Sequence, residues 1–373
     1  MNTPNLTRRG MLGAMGAAAA AAVVAPLIVG PATTAEAAPI WNEAAMIDIL
    51  NHPNMATHAT YDTADSAGNH MEAASIIQLR AGAAYKYACV YHTPIAVTGG
   101  WKFQVHVAGS NNLTSWTHLG VLIDNADMPK ILRVSGSDWI VVTHEQWSGP
   151  GPASTAPCNV TFRLFYTDAD LLARTIRSTY TMPIYGTSGL NGTPSFYDAV
   201  LVFDGTFYAV NGQYGFHDWN GTKDVNDSTT INQMFNPAGT VAAFPATATG
   251  YNDDFINMGV TGNIGDRDTI APSFGGRYNV QEGNIGMPGQ DFGLWRMWLY
   301  KYSEPTKNPT GAGTVSALSP VTPFGSTSFG NPCVSIVDAP SGGGQVMWVS
   351  YFLFSEGAGN PSEMRSLIYW TNI

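Results

Sequence analysis

The sequence predicts an all-β fold, and specifically a five-bladed β-propeller, from three observations. The chain beyond residue 37 has almost no helical periodicity. Short runs of alternating apolar residues recur between clusters of Gly, Asn, Asp and Pro, a pattern typical of strands joined by turns. Finally, five segments repeat one shape, in which a polar residue leads into a short apolar strand, a turn and an aromatic-rich second strand.

The repeats predict where the blades begin and where a site lies. They open at Glu72, Asp127, Asn191, Glu282 and Asn331. Spacings near ~50 residues suit one four-stranded blade, and we interpret the longer intervals as insertions, the largest between Asn211 and Asn279. The first residues of each innermost strand of a propeller point toward the mouth of the central channel. We therefore expect the five polar residues to converge on one pocket, and the region before Glu72 to wrap the ring or close the last blade.

Composition supports a turn-rich β protein with a neutral partner. Charged residues make up 12% of the chain, which contains 40 Gly and 23 Pro. We expect one domain over residues 38–373, because propellers of this length form without division. The formal net charge of -10 makes the surface repel phosphate backbones, so nucleic acid is not expected as a partner. We expect a monomer that contacts a carbohydrate polymer or oligosaccharide.

Residues 1–37 have the organisation of an export signal. Arg8 and Arg9 precede an alanine-rich apolar run, and Ala35-Glu36-Ala37 has the A-x-A pattern of a cleavage site. The paired arginines predict twin-arginine export and a secreted protein. No later stretch of ~20 apolar residues occurs, so no membrane span is expected. Of three cysteines, Cys89 and Cys333 lie in apolar strand patterns and are predicted to be buried free thiols.

Several motifs resemble the five-bladed glycosidases of glycoside hydrolase family 43. Segment 110–120 has Ser, Leu, Trp and Gly at the spacing of the outer strands of the family's first blade. Gln281-Glu282-Gly283 resembles its general-acid motif, and Asp127-Met128-Pro129 resembles a blade start. The family includes arabinanases, arabinofuranosidases and xylosidases, so the resemblance favours an arabinan- or furanoside-like substrate. The sequence departs from the family at Glu72, which replaces an aspartate before proline, and at Asn191, which cannot ionise.

Glycoside hydrolysis requires two carboxyl groups that flank the scissile bond. Glu282 is the predicted proton donor, because burial beside Trp295 and Trp298 would raise its pKa. Glu72 is the first candidate for the base and Asp127 the second. Blades one and four face each other across a five-bladed ring, so the ~6.5–9.5 Å separation of an inverting enzyme is expected.

Other polar and aromatic residues are predicted to bind the substrate. Arg277 could clamp a uronate, since guanidinium groups pair with carboxylates in a bidentate way. The predicted substrate-binding residues are Asn191, Arg277, His70, His144, Trp219 and Asn331. No cofactor is required by this chemistry. The abundance of Asp and Asn leaves a structural calcium ion open.

Two other functions stay open at this point. A polysaccharide lyase would use His70 or a tyrosine as its base and Arg277 to neutralise a uronate, and its product would absorb in the ultraviolet. A carbohydrate-binding propeller would bind without turnover. The sequence contains no G-x-S-x-G elbow, zinc motif, P-loop or dinucleotide fingerprint.

Overall fold

The computed structural model describes most of the chain beyond residue 40. The described residues are 41–373 with gaps at 98–99, 135–136, 148–157, 182–194, 204–207, 216–228, 236–244, 248–249, 263, 287–291 and 304–312. The chain divides into two units, Met1–Ala38 and Pro39–Ile373. The predicted export signal, with Arg8 and Arg9, lies outside the described residues.

The strands form five antiparallel four-stranded sheets. They are β1 (His58–Tyr61); β2 (Glu72–Gln78), β3 (Tyr87–Val97), β4 (Gly100–Ser110) and β5 (Thr117–Asp124); β6 (Ala126–Arg133), β7 (Ile140–Trp147), β8 (Cys158–Phe165) and β9 (Ser178–Thr181); β10 (Ser195–Phe203), β11 (Tyr208–Gly215), β12 (Thr229–Phe235) and β13 (Pro245–Thr247); β14 (Ile264–Ile270), β15 (Tyr278–Asn284), β16 (Trp295–Lys301) and β17 (Thr314–Leu318); and β18 (Phe329–Asp338), β19 (Gln345–Leu353) and β20 (Arg365–Asn372). The helices are α1 (Glu43–Asn51), α2 (Asp168–Leu172) and α3 (Tyr251–Asn257).

The sheets are arranged as the blades of a propeller, which confirms the predicted all-β propeller class. The first strand of each sheet contacts the first strand of the next, in the order β2, β6, β10, β14, β18 and back to β2. Side chains of the sheet β10–β13 are outside the described set.

The first strand of the chain closes the last sheet. β1 pairs antiparallel with β20, from His58 opposite Trp370 to Tyr61 opposite Leu367. The prediction that the region before Glu72 closes the last blade is therefore confirmed. Because the first and last strands of the fold pair in one sheet, backbone hydrogen bonds close the ring.

Hydrophobic cores lie between neighbouring sheets. Ile76 and Tyr91 of the first sheet pack with Val337 and Trp348 of the last sheet. Cys89 and Cys333 are buried free thiols in the same core, as predicted. Helix α1 adds Met46 and Leu50 to a separate core between the fourth and last sheets. Twisted sheets bury both faces in this way, and each core therefore fixes one sheet relative to the next.

Two predictions about chain organisation are wrong, and they share one cause. The fourth sheet begins at β14, so Glu282 does not open a blade but lies on β15, the second strand. The interval from Asn211 to Asn279 is not an insertion, because it contains β12, β13, α3 and β14. The cause of both errors is β14, Ile264–Ile270, whose two aspartates and one arginine make its sequence resemble a polar loop rather than a strand.

Among the described residues, no helix is long and apolar enough to cross a membrane.

Candidate active site

The innermost strands carry a β-bulge near their first residues. In the first, second and last sheets the irregularity falls between Glu72 and Ser75, Asp127 and Lys130, and Gly330 and Cys333. The backbone enters the left-handed region within each of these bulges, with φ of 47° at Ala73, 46° at Met128 and 48° at Asn331. A bulge bends its strand and redirects nearby side chains. Here it places strand heads around one mouth of the channel.

A cavity of about 690 Å³ opens at this mouth. It contains three of the five predicted strand-head residues: Glu72, Glu282 and Asn331. The other lining residues are His92, Pro94, Phe103, Met128, Phe292, Trp295, Phe352, Leu353, Phe354, Ser355, Glu356, Met364 and Arg365. An apolar cavity with a few convergent polar groups is the usual form of a small-molecule site.

Glu282 lies opposite the bulge of β14, since its neighbours Gln281 and Gly283 pair with Arg267 and Ile264. Its Oε1 accepts a 2.8 Å hydrogen bond from the Asp266 N–H, and its Oε2 accepts one of 2.6 Å from the Asn331 N–H. The two donors fix the carboxyl group in place while it faces the cavity.

Burial is the main cause that raises the pKa of Glu282 to about 8, and the negative charge of Asp266 raises it further. The two backbone N–H donors and the charge of Lys130 oppose the shift. Glu282 is therefore protonated at neutral pH, as the sequence predicts. Trp295 lines the same cavity, as predicted. Trp298 does not line it and instead packs with Tyr251 and Phe255 of α3.

Two glycines leave the space that this carboxyl group occupies. A Cβ atom at Gly265 would lie 2.0 Å from Glu282 Oε1, and one at Gly330 would lie 2.5 Å from Glu282 Oε2. No side chain fits at such distances, so glycine at both positions permits the close approach of the backbone.

Glu72 forms the second carboxyl group of the cavity and has a histidine partner. The Nε2 of His92 lies 3.6 Å from Glu72 Oε2, and His92 is directly opposite Glu72 in the β2–β3 register. The Nδ1 of His92 accepts a 3.0 Å hydrogen bond from the Met128 N–H. That bond assigns the ring proton to Nε2, which points it at Glu72. His92 is therefore placed to orient the Glu72 carboxyl group.

A buried charge cluster lies beside Glu282. The Lys130 Nζ donates to Pro332 O at 2.6 Å and lies 3.9 Å from Asp268 Oδ2. Burial opposes the charge of Lys130, but Asp268, Cys333 and Asp266 raise its pKa above the usual value. Burial raises the pKa of Asp266, and Lys130 opposes that shift. Among the described residues the Asp266 carboxylate has no hydrogen-bond partner.

Aromatic rings form two walls of the cavity. Phe354 stacks on Phe292 with centroids 5.2 Å apart and on Trp295 at 6.2 Å. On the side of Glu72, His92 and Phe103 have ring centroids 4.4 Å apart. Phe292 is 38% exposed, so one wall offers an open aromatic surface to a bound molecule.

Several predicted site residues lie elsewhere. Asp127 is buried at the head of β6 but does not line the cavity, although its neighbour Met128 does. His70 does not line the cavity. It pairs with Asp62 Oδ1 at 2.7 Å and contacts Arg365, which is a lining residue. Asn191 lies outside the described residues, and so does Trp219.

His144 and Arg277 also have structural surroundings away from the cavity. Arg163 Nε donates to the His144 Nε2 at 3.2 Å, and burial lowers the pKa of His144 to about 3. Arg277 packs over the Tyr302 ring at 4.7 Å and directly precedes β15, at the opposite end of that strand from Glu282. Arg277 does not line this cavity, because a strand length separates the two places, and its role as a uronate clamp stays a prediction.

His92, Asp266 and the Phe292–Phe354 wall were not predicted from the sequence as parts of the site. His92 could have been found from its place at the end of an apolar run, where β3 turns polar opposite Glu72. Asp266 was hidden because β14 was not recognised as a strand. No sequence signal brings Phe292 to Phe354, since they belong to different sheets.

Comparison of the whole fold with solved structures supports the predicted architecture. The chain is similar, at a TM-score of 0.53 and 12% identity, to a thermostable family-43 glycoside hydrolase, over 84% of this chain and 92% of that one. The chain has the fold of a family-43 glycoside hydrolase. It is also similar to an N-acetylgalactosamine deacetylase from F. plautii, solved with blood group B trisaccharide, at a TM-score of 0.50 and 12% identity over 85% and 94% of the two chains. No family model matches the sequence, and no curated protein does.

The predicted fold resemblance is thus confirmed. The two solved structures with this fold are named for different activities, one a glycoside hydrolase and the other a deacetylase, so the fold by itself does not determine the chemistry. The chemistry has to be argued from the cavity.

Proposed function

We propose that this chain is a secreted glycoside hydrolase whose active site is the cavity between Glu72 and Glu282. The observation that carries the proposal is the state of Glu282: a carboxyl group held by two backbone donors, with its pKa raised to about 8, at the wall of an aromatic cavity. A proton donor to a glycosidic oxygen must be protonated near neutral pH, and burial is the usual means.

Glu72 is the partner carboxylate in this proposal. It lies in the same cavity and has His92 beside it, and an ionised carboxylate there can activate water or attack the sugar carbon. Glu282 protonates the leaving oxygen while Glu72 acts on the anomeric carbon. Asp127 does not line the cavity, so Glu72 is favoured over it as the base.

Asp266 and Lys130 tune the acid without touching the substrate. Asp266 raises the pKa of Glu282 by its negative charge, and Lys130 opposes the rise that burial causes in the pKa of Asp266. Of the two carboxyl groups, Glu282 is the one that lines the cavity and can deliver a proton there.

The remaining parts of the proposal concern substrate and location. The five sheets make a five-bladed propeller, residues 1–37 direct twin-arginine export, and an arabinan- or furanoside-like saccharide occupies the cavity against Phe292 and Trp295. No cofactor is needed for the two-carboxylate chemistry, and a calcium ion would be structural.

The test is a screen of the mature protein, residues 38–373, against a panel of neutral and uronate-containing polysaccharides. Reducing sugar should appear without ultraviolet absorbance at the new chain end. Absorbance of an unsaturated uronate would support the lyase instead. Binding without any product, unchanged in an E282Q variant, would show a carbohydrate-binding propeller and contradict the proposal.

A further inference from the structure

A second cluster of ligating side chains lies outside the set of residues that line the cavity, on the outer strands of the first sheet and the segment that leads into it. Asp65 belongs to the segment between β1 and β2, His106 to β4 and His118 to β5. One ligand atom of each residue lies within 4.8 Å of the other two. The His106 Nδ1 is 3.0 Å from the His118 Nε2, and that Nε2 is 3.9 Å from Asp65 Oδ2.

These separations are compatible with one metal ion between the three side chains. Two ligands held at about 2.1 Å from a tetrahedral ion are roughly 3.4 Å apart, between the two observed values. Without an ion, 3.0 Å is the length of one N–H···N hydrogen bond between the two rings, and the carboxylate oxygen stays 3.9 Å from the His118 Nε2. A cation between them would satisfy both lone pairs and would also use the third ligand, the carboxylate.

The supporting contacts hold the ligands in place. Asp65 Oδ1 accepts bonds from the Ala67 and Asn69 N–H groups at 2.8 and 3.0 Å. Its Oδ2 accepts from Tyr91 and, at 2.9 Å, from Asn69 Nδ2. Such outer partners orient metal ligands and are a regular part of metal centres.

Burial also suits a site of this kind. Asp65 and His106 are buried, whereas the side chain of His118 is 23% exposed and leaves a path for an ion and a water ligand. Burial lowers the pKa of His106 to about 4, and the neighbouring His118 lowers it further, so His106 is neutral at pH 7. The His106 Nε2 has no partner among the described residues.

We propose that Asp65, His106 and His118 bind one divalent transition-metal ion, with Zn²⁺ as the natural occupant and water as the fourth ligand. Two of the three donors are imidazole nitrogens, which suit Zn²⁺, whereas Ca²⁺ takes six to eight oxygens. The proposal does not depend on the glycosidase assignment.

The location gives the ion a structural role. Segment 62–71 leads from β1, which closes the last sheet, to Glu72 at the head of β2. Ser66 already joins this segment to the start of β5, since its N–H donates to Trp116 O at 2.8 Å and its Oγ accepts from the His118 N–H at 3.0 Å. A bound ion would clamp the closing segment to the outer strands of the first sheet.

The experiment uses mature protein without a histidine tag, after dialysis against EDTA. Titration with ZnCl₂ by calorimetry should show one Zn²⁺ per chain, and Zn²⁺ at 100 times Kd should shift the folding equilibrium about 100-fold and raise Tm. H118Q, at the partly exposed ligand, should weaken binding by more than about 100-fold, because loss of an outer partner alone costs about 10–100-fold. D65N should weaken it as well.

A matched control is H52Q, which removes a histidine that pairs with Asp48 on the surface at 2.8 Å. It should leave Zn²⁺ binding and the Tm shift unchanged. Titration with CoCl₂ provides a second measurement on the wild type, whose visible spectrum should be that of four-coordinate Co²⁺. No Zn²⁺ binding by the wild type, binding that survives in folded H118Q and D65N, or binding lost in H52Q would each overturn the proposal.

Discussion

The Asn331 backbone N–H donates a 2.6 Å hydrogen bond to Glu282 Oε2, although the two residues belong to different sheets. The other oxygen of the same carboxyl group accepts from Asp266 in its own sheet. Glu282 therefore joins two neighbouring blades at the cavity mouth. A shift between these blades would change the position of the proposed acid.

Replacement of Glu282 by glutamine should lower turnover on unactivated substrates by about 10²–10⁴-fold, the usual contribution of a general acid. Aryl glycosides with good leaving groups should lose much less, because they need little protonation. The measurement is kcat/KM over a series of leaving groups of decreasing pKa.

Glutamine cannot accept both backbone hydrogen bonds, since its amide nitrogen is a donor. E282Q should therefore also lose about 1–3 kcal/mol of stability. Kinetics should be measured where circular dichroism shows the folded state. An equal loss of activity across all leaving groups would argue against Glu282 as the proton donor.

Asp266 should set the alkaline limb of the pH–rate profile. The acid must be protonated to act, so activity should fall as pH rises through about 8, the pKa of Glu282. D266N removes a negative charge that raises this pKa, and its alkaline limb should therefore move to lower pH. The profile of kcat/KM against pH measures the shift in the free enzyme. An alkaline limb that stays in place in D266N, or that moves to higher pH, would show that Asp266 does not raise the pKa of Glu282.

Substitution of Gly265 by alanine should impair catalysis more than stability. Its Cβ would lie 2.0 Å from Glu282 Oε1, so the carboxyl group must move. A displacement of about 1 Å at a reacting group costs on the order of 10²-fold in rate. The matched control is G109A on β4. A Cβ at Gly109 would lie 2.5 Å from the ring of Tyr85, and neither residue lines the cavity. Both variants should lose about 1–3 kcal/mol from overpacking, but G109A should keep its kcat.

His92 is predicted to be a positioning residue for Glu72. H92Q should lower kcat/KM by roughly 10–100-fold, because the Glu72 carboxyl group loses the ring 3.6 Å from its Oε2 and a misplaced reacting group costs on the order of 10²-fold in rate. The loss should fall on kcat and leave KM nearly unchanged, a split that a purely structural role would not produce. H144Q provides the comparison, because His144 is equally buried but bonds to Arg163. If both variants give the same kinetics, His92 does not act on Glu72.

Export should depend on Arg8 and Arg9. Their joint replacement by lysine should leave the precursor in the cytoplasm, because twin-arginine recognition reads the arginine pair. Cell fractionation and immunoblotting of precursor and mature forms provide the measurement. Normal secretion of the double variant would refute this route of export.

Local sequence patterns determined the class of the fold. The alternation of apolar residues, the turn residues and the repeated aromatic strands are properties of adjacent residues, so they predict an all-β propeller and three of its strand heads correctly, at Glu72, Asp127 and Asn331. Cys89 and Cys333 were likewise predictable, since apolar neighbours on a strand imply burial. The raised pKa of Glu282 followed from an aromatic strand near a carboxylate.

The tertiary structure decided the strand order and the partners of the site. β14 is too polar to be recognised as an innermost strand from its sequence. A contact with another sheet accommodates one of its aspartates, since the Val334 N–H donates a 2.8 Å hydrogen bond to Asp268 Oδ2. Glu282 therefore lies opposite a bulge, and its neighbour Asn331 comes from the next sheet. His92, Lys130 and Phe354 reach the site or its surroundings across sheets. Such long-range contacts depend on how the blades pack around the ring, and no local pattern encodes them.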